Sequence, residues 1–238
     1  MNMQMNSTLF IQNVTVDNYS GNFIDADTII QLNIASSTFK NLDLESSIPF
    51  IRVRRFNGNL LSAIGLSFKD LIFENIKVKN SLFLTDDTMN QIMMTNISAY
   101  NIFKKSVAVK TAVEIDYETS WPGGIFFLGR NDIVLRMENS RFYNIGSHCI
   151  GINAGGIYLV NSIFDNSKLD PAYTVQPAVD EKDDFSGITW ITLIGNTQRV
   201  NNYGYDFAIS SNIFNENKVK SNLGGVHLVK ILSFLTTF

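Results

Sequence analysis

Carboxylates are the side chains in this sequence best placed to do chemistry. Asp180, Glu181, Asp183 and Asp184 form one acidic run that follows Pro171 and Pro177 and precedes the strand-like Ile188-Thr189-Trp190-Ile191. Clustered carboxylates ligate hard cations such as calcium, or share a proton when forced together. Asp86-Asp87 offers the same pairing on a smaller scale. Two adjacent acids supply too few ligands alone, so solvated loop acids are the plainer reading of both pairs. The 180–184 run is the candidate ligand-binding segment, because long loops on a rigid scaffold often carry function. Glu114, Asp116 and Glu118, close to Trp121, alternate with Val113 and Ile115 and read as a strand with outward acids. Arg52, Arg54 and Arg55 alternate with Ile51, Val53 and Phe56. They read as the charged outer face of a strand, with a carboxylate-binding cluster as the sharper alternative. His148 and Cys149 are neighbours, so on a strand they point to opposite faces and make a poor base and nucleophile. No residue is assigned a catalytic or resident-metal role, and calcium is the one cofactor the acids would suit.

The elements that must position these groups are short strands and tight turns. Hydrophobic residues make up 45% of the 238 and charged residues only 17%, so polarity has to come from uncharged side chains, chiefly 27 asparagines. Only 4 prolines and many Ile, Phe, Ser and Thr favour strands over long helices and argue against disorder. A net charge of −3 gives no basic footprint for nucleic acid or an anionic membrane surface. No run reaches the roughly 18 apolar residues of a membrane span, and the amino end shows no secretory leader. Cys149 is the sole cysteine, which excludes an internal disulfide framework.

An internal repeat organises the rest. Its pattern is apolar, any, Asn or Ser, any, any, apolar, any, Asn. Copies are Ile11-Asn13-Val16-Asn18, Ile34-Ser36-Phe39-Asn41, Phe68-Asp70-Phe73-Asn75, Met94-Asn96-Ala99-Asn101, Met137-Asn139-Phe142-Asn144 and Leu159-Asn161-Phe164-Asn166, with Ile209-Ser211-Phe214-Glu216 differing only at the end. The second apolar positions are separated by 23, 34, 26, 43, 22 and 50 residues. The two longest steps fit a pair of coils with a degenerate middle, which gives about nine coils. Within a copy, alternation points apolar side chains inward and a polar residue then marks a bend. Asn suits the bend because it tolerates the left-handed region, and its amide can bond an Asn one coil away. The phenylalanines should stack inside, with Phe142 touching Phe164.

Gly-Gly precedes a strand at Gly123-Gly124-Ile125-Phe126, Gly155-Gly156-Ile157-Tyr158 and Gly224-Gly225-Val226-His227. The Gly155-Gly156-Ile157-Tyr158 element and Asn161-Ser162-Ile163-Phe164-Asp165-Asn166 resemble the repeats of Asn-rich parallel β-helix proteins found in large ciliate surface proteins. Phe214-Asn215-Glu216-Asn217 is similar to the FxxN repeat of chlamydial polymorphic outer-membrane proteins. The resemblance implies an all-β, single right-handed parallel β-helix of the pectin-lyase-like class, and an extracellular or cell-surface setting. Sugar enzymes of that class place clustered acids on one sheet, but their Gly-His-Gly, Arg-Ile-Lys and Asn-Thr-Asp signatures have no counterpart here.

The expected organisation is one domain over 1–238, with insertions near 46–58, 102–136 and 167–190. The expected role is a non-catalytic structural or binding solenoid contacting glycan or protein; the alternative is a polysaccharide lyase or glycoside hydrolase with divergent acids. No amphipathic helix precedes Ile11, and Val226 to Phe238 is apolar and β-rich. That leads to the expectation of a segment from a longer array, or of end-to-end self-association.

Overall fold

The computed structural model describes residues 7–27, 29–45, 49–54, 64–79, 81–86, 90–104, 124–128, 134–146, 148–154, 156–166, 168–169, 189–195, 206–219 and 227–233. All regular structure among them is β-strand. In chain order the strands are Ser7–Gln12 (β1), Thr15–Asp17 (β2), Ile24–Asp27 (β3), Ile29–Leu44 (β4), Ile51–Arg54 (β5), Ile64–Val78 (β6), Phe83–Asp86 (β7), Asn90–Lys104 (β8), Gly124–Leu128 (β9), Val134–Glu138 (β10), Arg141–Gly146 (β11), His148–Ala154 (β12), Gly156–Val160 (β13), Ile163–Asp165 (β14), Lys168–Leu169 (β15), Thr189–Gly195 (β16), Asp206–Ser210 (β17), Ile213–Asn215 (β18), Lys218–Val219 (β19) and His227–Ser233 (β20).

Eleven strands form the larger sheet, along the path β1-β4-β6-β8-β10-β13-β17, with β2, β11, β14 and β18 extending its rungs. Seven more form a second sheet, β3-β5-β7-β9-β12-β16-β20, and β15 pairs with β19. The pairing is parallel throughout, as between β4 and β6, β6 and β8, and β12 and β16. Along the chain the strands alternate between the two large sheets, and each return pairs beside the strand of the previous visit. The ranges 46–58 and 102–136, expected as insertions, include β5 in the first and β9 and the start of β10 in the second.

The count of about nine coils needs correction. β8 pairs directly with β10 and β11, and β13 and β14 pair directly with β17 and β18. The steps of 43 and 50 residues therefore hide no middle rung, and the path has seven strands. At about 4.8 Å per rung that is roughly 30 Å of stacking.

The bends lie where the repeat places them. Asn13, Asn18, Ser36, Asn41, Asp70, Asn75, Asn96, Asn101, Asn139, Asn144, Asn161, Asn166, Ser211 and Glu216 are the non-glycine residues at positive φ among the described residues, with φ between 47° and 57°. They are both polar positions of all seven copies. Left-handed backbone costs an ordinary L-residue roughly 1–2 kcal/mol, and Asn bears it best because its short amide bonds locally. These residues fold β4, β6 and β8 twice each; straight, the 15 residues of β6 would reach about 50 Å.

Between the bends the second apolar positions align one above another: Val16, Phe39, Phe73, Ala99, Phe142, Phe164 and Phe214 are successive partners. Phe142 and Phe164 stack as expected, with centroids 5.0 Å apart and planes 1° from parallel. Phe39 on Phe73 and Phe164 on Phe214 repeat this at 5.1 Å. Phe23 and Phe50 close the core near Phe39 at 5.4 Å.

A left-handed residue interrupts the backbone ladder, and a buried hydroxyl repairs it. Ser37, Ser140 and Ser162, each just after a first bend, donate to the carbonyls of Ala35, Glu138 and Val160 at 2.7, 3.0 and 3.1 Å. They accept the N–H groups of Val14, Ile97 and Ser140 on the preceding rung. Buried backbone donors are costly to leave unpaired, so these inward serines belong to the core despite their polarity.

Candidate functional site

The acidic run Asp180, Glu181, Asp183 and Asp184 lies outside the described residues, as do Asp87, Arg55, Glu114, Asp116, Glu118 and Trp121. Asp86 ends β7, and His148 and Cys149 are adjacent in β12, where Cys149 is buried. Among the described residues no three His, Cys, Asp or Glu side chains gather as metal ligands. No helix among them is long and apolar enough to cross a membrane.

Arg52 departs from the expected solvated outer face. It is only 7% exposed, and its Nε donates to Asp25 Oδ1 at 2.8 Å while an Nη donates to Asp25 Oδ2. Asp25 and Arg52 are partners on β3 and β5, so the carboxylate that the arginine binds comes from the neighbouring rung. A guanidinium fork on a carboxylate is strong and directional, which is how this charge is kept at low exposure. Arg54 is in backbone register with Asp27 and Asp86 on the neighbouring strands.

Other acids are also engaged within the fold. Asp70 accepts Asn96 Nδ2 at 2.7 Å, and Asp165 accepts Asn215 Nδ2 at 3.1 Å. Asp17 accepts Asn41 Nδ2 at 2.9 Å and pairs with Lys40 at 3.3 Å. The Asn41 amide, then Lys40, holds the Asp17 carboxyl below its ordinary value. From Asn41 the amides continue as a relay: Asn75 donates to Asn41 at 3.3 Å, Asn101 to Asn75 at 2.9 Å and Asn144 to Asn101 at 2.8 Å.

Beside this relay lies an outward aromatic group that the sequence reading missed. Tyr100 and Tyr143 are direct partners on β8 and β11, each immediately before a ladder asparagine. Tyr143 and Phe103 are exposed. Phe103 partners Gly146, and a Cβ built on that glycine would lie 2.5 Å from Phe103 Cδ1, so the ring rests on bare backbone. The arrangement sets three aromatic side chains next to a column of amides. Its signal was present as an aromatic on either side of Asn101 and before Asn144, but it becomes a surface only when the 43-residue step is known to be one rung. Two rungs below Ala208, Arg136 lies over the Tyr158 ring at 4.8 Å, holding another outward aromatic in place.

No protein-family model, curated protein or solved structure matches the chain.

Proposed function

We propose that the chain is a right-handed parallel β-helix of the pectin-lyase-like class, a non-catalytic solenoid within a larger surface protein that presents an outer face to a glycan. Handedness follows from the strong preference of parallel crossovers for the right hand. Seven successive rungs among the described residues support a solenoid of about seven coils, with the asparagine bends as its corners. The observation that carries the functional reading is the Tyr100, Tyr143 and Phe103 group alongside the Asn75, Asn101 and Asn144 amides. Ring faces suit the C–H faces of a sugar, amides suit its hydroxyls, and neither calls for charge. Asp17, Asp25, Asp70 and Asp165 are engaged in ion pairs or amide bonds, which favours binding over acid-base chemistry.

The test is a panel of pectate, alginate and host-type glycans, with and without calcium, read for binding and turnover. Binding that falls about tenfold in Tyr143→Ala and Phe103→Ala, with the melting temperature unchanged, is expected. Turnover abolished by Asp183→Asn or Asp184→Asn would make the chain a carbohydrate-active enzyme instead. Protein ligands captured through the same tyrosines with no glycan affinity would replace the glycan with a protein.

A further inference from the structure

A cation stands beside the tyrosine pair. Arg141 and Tyr143 flank the buried Phe142 on β11 and are both exposed, so they share one outer face two positions apart. On β8 the same two positions are Ser98 and Tyr100. The four side chains form a square, with the two tyrosines along one edge and Arg141 and a serine hydroxyl along the other.

Elsewhere in the fold a cation meets its acid across the rungs. Lys40 lies in register with Asp17, Arg52 with Asp25 and Lys77 with Asp43, and the first two are closed ion pairs. Arg141 has Ser98 and Ile163 in register, and among the described residues it forms no ion pair. Asp165, on the next rung, is the register partner of Tyr143 and accepts the Asn215 amide. Lys69, with Ala35 and Thr95 in register, also lacks an acid there, but it lies two rungs away and before the first bend. Arg136 opens the same rung as Arg141, exposed, with Met93 and Tyr158 in register and its guanidinium over the Tyr158 ring. The rung that carries Tyr143 therefore presents two outward guanidinium groups without an acid in register.

A guanidinium fork matches the paired oxygens of a carboxylate or a sulfate with two parallel hydrogen bonds. Side chains two apart on a strand stand about 7 Å from each other, a span that a long arginine side chain closes toward a substituent of a sugar lying on Tyr143. Rings and amides alone do not distinguish a neutral sugar from an acidic one. We infer that Arg141 makes this face selective for sugars carrying an anionic group, a carboxylate or a sulfate ester, with Tyr100 and Tyr143 under the ring and the guanidinium on the anion. The inference rests on the glycan reading above and adds a charge requirement to it.

The test is titration calorimetry of the full chain with matched probes, in EDTA so that no calcium bridges protein and sugar. Pectate oligosaccharides are compared with their methyl esters, and dextran sulfate with dextran. The acidic member of at least one pair should bind roughly thirtyfold more tightly than its neutral counterpart, the worth of a charged hydrogen bond. Which pair shows the preference tells carboxylate from sulfate. Arg141→Gln should abolish the preference and leave the neutral members' affinity unchanged, whereas Tyr143→Ala should weaken both members. Added salt should weaken acidic binding in the wild type and not in Arg141→Gln. Unchanged melting temperatures check that both variants remain folded. Neutral members bound as tightly as acidic ones, or a preference that survives Arg141→Gln, overturn the inference and leave the glycan reading standing. Acidic binding undiminished in Tyr143→Ala shows bare charge capture and overturns it as well. Failure of every probe to bind overturns the glycan reading itself, and this inference with it.

Discussion

At Asn75 a left-handed backbone, φ 55°, coincides with a relayed amide that donates to Asn41 and accepts from Asn101. The two roles separate by substitution. Asn75→Gly keeps the backbone but breaks both amide bonds, and should cost about 1 kcal/mol for exposed hydrogen bonds. Asn75→Ala adds the left-handed penalty, roughly a further 1–2 kcal/mol. Urea midpoints check the order; equal losses would mean that φ is not what selects Asn. Asp17 offers a pH test. Its folded pKa is depressed by the Asn41 amide and by Lys40, so its contribution is present above the unfolded pKa and disappears as pH falls through the folded value. Titration followed by NMR should place Asp17 below ordinary aspartates, and Asn41→Ala should move it upward.

Each rung of the larger sheet is held by what stacks above and below it, so the cost of a deletion depends on how many neighbours a side chain has. Phe164 lies between Phe142 and Phe214 and is fully buried, and Phe164→Ala should cost about 3–5 kcal/mol. Phe214→Ala removes a ring stacked on one side only and should cost about half as much, measured as the shift in denaturation midpoint. At this scale the larger sheet was readable from sequence and the second sheet was not. The repeat names both bends of every rung because Asn is needed for a specific dihedral angle, and that need leaves a residue type behind. β3, β5 and β7 are four residues long and carry no such bend, so nothing in the sequence revealed that Asp25 would meet Arg52 across 27 positions. The long steps misled for a related reason: residues inserted between rungs and a degenerate rung look alike until pairing is known. The repeat also leaves Ser140 and Ser162 unassigned, because only the left-handed bend before each of them turns its hydroxyl inward.

Among the described residues, most contact between strands is between adjacent rungs, so each rung's stability should depend chiefly on its neighbours. Amide exchange should be slowest in β6 and β8, which have partners on both edges, and faster in β1 and β17, which end the path. Uniform protection from first rung to last would show a single cooperative unit instead. The acidic run at 180–184 lies outside the described residues, so the loop expectation remains separate from the surface built around Tyr143.

The asparagine relay also has a direction. Asn144, Asn101, Asn75 and Asn41 all donate the same way, and the last hydrogen ends on the Asp17 carboxylate. Aligned amides are aligned dipoles, so the column acts outside the backbone as a peptide helix acts within it, with its positive end capped by an anion. Hydrogen bonds in such a chain polarise one another. The charge state of Asp17 should therefore respond to residues it never touches: Asn101→Ser, two rungs beyond Asn41, should raise the Asp17 pKa slightly while the Asn41 bond remains. The flank of the fold would then be an electrostatic wire as well as a row of corners.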